Sequence, residues 1–142
     1  MRTLGLDIGE KRIGLALSDP TGVIAGTHGV WQRGSERELV ARLRRLVEEE
    51  EVEKVVLGLP RSLSGELGPQ GRSVEDLRAL LARSLRVPVE SWDERFSTAA
   101  AERAMIEAGV RREKRRARRD AVAAAFMLQG YLDAQASRRT NG

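Results

Sequence analysis

The chain has 142 residues, 41% of them apolar and 4% aromatic, with no cysteine and a formal net charge of +4. That length suits one domain, and small aliphatic residues must supply most of the core. The absence of cysteine excludes disulfides, thiolate metal centres and a cysteine nucleophile, and it fits a reducing compartment.

Arg2 aside, the start of the chain is apolar, and Thr3 to Ile8 reads as a short buried strand rather than a signal peptide. Gly9-Glu10-Lys11 is a turn. Ile13, Leu15 and Leu17 alternate with small residues and predict a second strand paired back on the first. Asp19-Pro20-Thr21-Gly22 is a further turn, and 23–31 can form a third strand. Ser35-Glu36-Arg37-Glu38 matches a capping box, so a helix is expected over 35–51 with Leu39, Leu43, Leu46 and Val47 on its apolar face. Val55 to Pro60 reads as a strand buried on both sides. A glycine-rich loop is expected from Arg61 to Arg72, then a helix with Val74, Leu77, Leu81 and Leu85 on one face. Residues 87–92 predict a fifth strand, 97–108 a helix ended by Gly109, and 120–136 a last helix. The tail 137–142 is expected to be disordered, leaving 1–136 as a single domain. Three hairpin-linked strands followed by alternating helices and strands predict an α/β fold. Its sheet would be mixed and five-stranded, antiparallel first and then parallel, with helices on its faces.

Charge is unevenly spread. Of the 25 basic residues 22 are arginine, whose planar fork chelates phosphate, although an arginine-rich genome would give the same bias. Arg111, Arg112, Lys114, Arg115, Arg116, Arg118 and Arg119 form a basic run, against the acidic run Glu48 to Glu51. One basic zone and one acidic zone give a polyanion a preferred face, although a solvated charged face would read the same. No apolar run reaches the ~18 residues of a membrane span, so a soluble, cytoplasmic protein without membrane contact is expected.

Three acidic positions carry the candidate chemistry. Asp7 sits inside an apolar strand, where a charged carboxylate is costly unless paired; it either binds a cation or bonds the amides of the next turn. Asp-x-Gly before a hairpin occurs in RNase H-like nucleases and in actin-like ATPases, but the actin-like fold needs a second such domain. Asp93 and Glu94 stand where a parallel strand opens into a loop, and alternation sends them to opposite faces. They either face a ligand or favour the dipole of the following helix. Asp120 shares a helical stripe with Ala124, Met127 and Tyr131, so it points inward at a first turn or serves as an N-cap. An all-carboxylate cluster suits Mg2+ or Mn2+, which take oxygen ligands. The ligands would be Asp7, Glu94 or Asp93, and Asp120, and metal-assisted phosphodiester hydrolysis is the matching chemistry. Lys11, Arg12, Arg61, Arg72, Arg95 and the 111–119 run are candidates for phosphate contacts, which position nucleic acid without reading its sequence. His28, in a strand, is read as structural. A non-catalytic nucleic-acid-binding factor would show the same basic run but has no need of inward carboxylates.

Four blocks together resemble one family. Asp7-Ile8-Gly9-Glu10-Lys11-Arg12-Ile13-Gly14-Leu15-Ala16 is similar to the opening motif of the YqgF family, also called RuvX. Val56-Leu57-Gly58-Leu59-Pro60 with Gly65 and Gly68-Pro69-Gln70, then Trp92-Asp93-Glu94-Arg95-Phe96-Ser97-Thr98, resemble its second and third blocks. Asp120 to Ala125 with Leu128 to Leu132 resembles its closing helix. Phe96, Ser97 and Arg61 depart from the usual pattern without touching the acids. The resemblance implies an RNase H-like fold akin to the RuvC resolvases. It also implies nuclease activity on a Holliday junction, as a resolvase acting in recombination and repair, or on the 5′ end of pre-16S rRNA in ribosome biogenesis. The family's acidic positions carry over to Asp7, the Asp93-Glu94 pair and Asp120. A junction resolvase making two symmetric cuts is expected to be a homodimer; an RNA-trimming enzyme has no such need.

Overall fold

The computed structural model describes residues 2–60, 67–93 and 112–141, with side chains from 120 to 138 in the last stretch. The elements in chain order are β1 (Arg2–Ile8), β2 (Arg12–Ser18), β3 (Ala25–Gln32), α1 (Glu36–Glu49), β4 (Val52–Leu59), α2 (Pro69–Ser84), β5 (Val89–Asp93) and α3 (Arg112–Asn141). The described strands form one sheet in the order β3-β2-β1-β4-β5. β1 and β3 run antiparallel to β2, whereas β1, β4 and β5 are mutually parallel. This is the mixed sheet expected from the sequence: tight turns leave neighbours antiparallel, and helical crossovers return them parallel.

Alternation along the strands divides the core into two layers. Leu4, Leu6 and Ile8 of β1 and Val55, Leu57 and Leu59 of β4 pack under α1 and α2, against Leu43, Val47, Val74, Leu77 and Leu81. On the other face Ala16 and Val56 meet Ala124, Met127, Leu128 and Tyr131 of α3. β4 is therefore apolar on both sides, as its unbroken Val-Val-Leu-Gly-Leu run requires. Each large aliphatic side chain so buried contributes roughly 1.5–3 kcal/mol. The long α3 and the α1–α2 pair thus clamp the sheet from opposite sides.

The boundaries differ from those expected of the sequence, each for a local reason. Ser35 caps α1, its hydroxyl accepting from the Glu38 amide at 3.1 Å, but the helix stops at Glu49. Its last turn holds no basic residue, and four successive glutamates oppose the helix dipole there. β3 begins at Ala25 instead of Val23, because the Asp19 carboxylate ties the amides of Val23 and Ile24 into the preceding turn at 2.8 Å each. β5 begins at Val89, after Pro88, which has no amide to donate. α2 begins at Pro69, inside the loop expected over 61–72, because proline suits the first helical position.

The largest correction concerns α3. It runs from Arg112, so the basic run from that residue on is helical and Asp120 lies about two turns inside the helix, neither in its first turn nor at its N-cap. Arg, Lys, Glu and Ala are all good helix formers, and nothing between 112 and 120 breaks the helix. The helix also runs through 137–141, where the sequence predicts disorder. The helix expected over 97–108 lies outside the described residues.

Candidate functional site at the carboxyl edge of the sheet

Asp7 is half-buried on β1, directly opposite Gly14 of β2. It shares its face with Gly5 and so looks toward α3. Gly14 in turn lies under the helix: a Cβ on it would stand 2.0 Å from the Asp120 carbonyl oxygen. Only a residue without a side chain lets α3 come this close. Gly14 therefore brings the backbone that carries Asp120 against the strand pair that carries Asp7.

Arg12, two residues earlier on the same face of β2, donates from Nε to Asp120 Oδ2 at 2.7 Å. The two side chains keep 32% and 24% of their exposure, so this is a charge-assisted bond at the rim of the core, open to water. The turn leading into Arg12 is held on both sides. The Gly9 amide donates to the Arg12 carbonyl at 2.8 Å, and the Arg33 amide to the Lys11 carbonyl at 2.9 Å. The Arg33 guanidinium adds a bond to the Gly9 carbonyl at 2.9 Å. Lys11 projects from this fixed turn into solvent.

On the β5 side, Trp92 packs edge-to-face on Tyr131 of α3, with ring centroids 5.6 Å apart. Tyr131 accepts from Lys54 Nζ at 2.7 Å and donates to Glu90, which also pairs with Lys54 at 3.4 Å. The bond to Tyr131 holds the Lys54 ammonium above its ordinary pKa, and burial pushes the Tyr131 phenol up. This cluster locks the end of the sheet to α3. Asp93 follows Trp92 in register with Leu59, whose side chain belongs to the α1–α2 layer. Asp93 therefore stands on the face away from Asp7. Glu94 lies outside the described residues.

The first turn of α2 abuts the same edge, since a Cβ on Gly71 would meet the Pro60 carbonyl at 2.7 Å. Arg72 is exposed on that turn. Arg112, Lys114, Arg115, Arg116, Arg118 and Arg119 occupy the turns of α3 that precede Asp120. Arg61, Arg95 and Arg111 lie outside the described residues. His28 is exposed on the edge strand β3, two strands away from β1 and Asp7.

Of the expected site, the fold thus joins Arg12 to Asp120, places Asp7 on the same face of the sheet and turns Asp93 away. Among the described residues no three acidic or imidazole side chains gather as a metal cage. The donor chemistry nonetheless suits a hard cation: Asp7 and Asp120 offer only oxygens, and Asp120 already holds a cationic group at hydrogen-bond distance. Sequence reasoning missed Gly14 and Arg33. Gly14 could have been found as the one glycine inside the expected second strand; Arg33 has no local signal.

A mixed sheet in this order, an acid on its central strand and a second acid on the helix packed across it define an RNase H-like protein. The fold is shared with RuvC of Thermus thermophilus in complex with a Holliday junction substrate, at a TM-score of 0.60 and 19% identity over 96% of each chain. It is shared also with the fowlpox virus resolvase in complex with its substrate Holliday junction DNA, at 0.56 and 14% over 95% of this chain and 99% of that one. Residues 1–134 match the RuvX family, described as Holliday junction resolvase. The chain belongs to that family of nucleases. Relatives include a protein of Syntrophomonas wolfei named "Putative pre-16S rRNA nuclease", 44% identical over 133 residues that span 94% of each chain. Its namesake in Halothermothrix orenii is 44% identical over 135 residues, 95% of this chain and 96% of that one.

Proposed function

We propose that the protein is a divalent-metal-dependent endonuclease that hydrolyses phosphodiester bonds in structured RNA, at the 5′ end of precursor 16S rRNA. The observation that carries the metal reading is the convergence of Asp7 and Asp120 on one face of the sheet through Gly14. The rRNA substrate is favoured by the names of full-length relatives at 44% identity. The four-way DNA junction is the second reading, supported by the description of the family; on that reading the protein acts as a homodimer. A cytoplasmic setting suits either substrate, and among the described residues no helix is long and apolar enough to cross a membrane.

In this reading Asp7 and Asp120 hold Mg2+ or Mn2+, with Glu94 as the third ligand, because Asp93 stands on the opposite face. The bound ions supply an activated water and neutralise charge on the scissile phosphate. Lys11 and Arg72 are exposed on the β1–β2 turn and on the first turn of α2, and the basic turns of α3 lead into Asp120. These groups, with Arg61, Arg95 and Arg111, would grip phosphates on either side of the scissile bond and so select shape over sequence.

The test is a cleavage assay with Mg2+ or Mn2+ on a labelled precursor-rRNA fragment and a four-way DNA junction, run side by side at matched salt. Metal-dependent cutting of the RNA, lost in Asp7→Asn, is expected. Cutting of the junction alone would select the second reading. Binding without cutting of either would sink the enzyme reading and leave a non-catalytic binding factor.

A further inference from the structure

The Arg12–Asp120 pair joins a residue assigned to phosphate contact with one assigned to metal binding, and it spans 108 positions of sequence. Asp120 Oδ2 is engaged by Arg12 Nε at 2.7 Å. A divalent cation that took this oxygen would compete with the guanidinium, since two cations held this close to one oxygen repel each other. From this geometry we infer that Arg12 is the resident counter-cation of Asp120, holding it until a divalent cation arrives, after which the freed guanidinium turns to substrate phosphate. The inference rests on the metal reading of the site and adds an order of events to it.

Four features make Arg12 suited to such an exchange. Its backbone is fixed by the Gly9 amide and, through the neighbouring Lys11 carbonyl, by Arg33, so the side chain can swing while the turn stays in place. Both partners retain contact with water, so releasing the pair opens no part of the core. A pair this exposed is weak, and its loss shifts a competing equilibrium by only about fivefold, which a divalent ion can overcome. A guanidinium freed beside two carboxylates is also matched to a phosphate by its paired N–H donors. By linkage, anything that draws Arg12 away from Asp120, a phosphate included, favours the metal.

The test is Mn2+ titration calorimetry on the full chain without nucleic acid, so that the readout is affinity and not turnover. Wild type, Arg12→Gln, Asp120→Asn and the double variant are compared, with thermal unfolding of each as a check on folding. Arg12→Gln is expected to bind Mn2+ about fivefold more tightly than wild type, and this gain should vanish in the Asp120→Asn background. A merely structural role for Arg12 would instead loosen the site. Equal or weaker binding by Arg12→Gln, where wild type binds, overturns the counter-cation role and leaves the metal reading intact. A gain that persists without the Asp120 carboxylate overturns it equally, because the effect is then one of overall charge. No binding by wild type or by Arg12→Gln overturns the metal reading and the counter-cation role together. Should Arg12→Gln fail to fold, Arg12→Met, which keeps the apolar stem, takes its place with the same expectations.

Discussion

Gly14 and Asp120 are in backbone contact across the sheet–helix interface: a methyl group on Gly14 would lie 2.0 Å from the Asp120 carbonyl oxygen. The Asp120 peptide leaves it no escape, since the carbonyl carbon is only 2.5 Å from the same point. Gly14→Ala therefore has to push α3 away from β2. Overpacking against backbone is costly, and destabilisation of about 3 kcal/mol is expected from urea unfolding. The same shift would separate Asp120 from Arg12 and from the face of Asp7. Nuclease activity should then fall further than the fraction of unfolded protein accounts for; wild-type stability in the Gly14→Ala variant would show that the interface is softer than its geometry.

Asp19 governs the β2–β3 turn. Its carboxylate accepts from the amides of Ile24 and Val23 and from the hydroxyl and amide of Thr21. These bonds, that to Ile24 foremost, hold its pKa far below the ordinary carboxylate range. A folded pKa below the unfolded one means that the bonds stabilise the protein above about pH 4 and that this contribution fades as pH falls further. Thermal unfolding of wild type and Asp19→Asn between about pH 7 and pH 3 should show wild type ahead at neutral pH and the gap narrowing with acid. A gap independent of pH would mean that the charge is not what holds the turn.

Tyr131 ties α3 to the far side of the sheet through Lys54, Glu90 and Trp92. Tyr131→Phe removes the hydroxyl and keeps the ring against Trp92. The Lys54–Glu90 contact at 3.4 Å remains, so neither charge loses its partner. A loss of about 1 kcal/mol by chemical denaturation is expected, with cleavage per folded molecule unchanged, because the hydroxyl's bonds go to Lys54 and Glu90 and not to Asp7 or Asp120. A selective loss of cleavage would reveal that this clamp also positions the site.

The layered fold was legible in the sequence because hydrophobic periodicity is a local property. Leu39, Leu43, Leu46 and Val47 repeat at helical spacing, and all are buried. The alternation around Gly14 and the apolar run 55–59 pointed to the antiparallel and two-sided strands. Boundaries were less legible because they turn on competing local bonds. The Asp19 carboxylate takes amides that β3 would otherwise use, and the helical propensity of the basic run extends α3 well before Asp120. The acids of the site could be named from the strand ends and the four family blocks. Whether Asp93 shares a face with Asp7 depended on where β5 starts and on its register with β4, which put Asp93 level with Leu59.

By itself the sequence determined the order of the described elements, the two apolar layers and the acidic and basic residue types at the sheet's carboxyl edge. These follow from side-chain chemistry read at short range. Only the tertiary structure decided that Arg12 meets Asp120, that Gly14 is the floor on which the helix rests, and that Arg33 braces the turn between them. Those contacts join residues up to 108 positions apart. No local pattern encodes them, because they exist only once the sheet has twisted and α3 has packed across it.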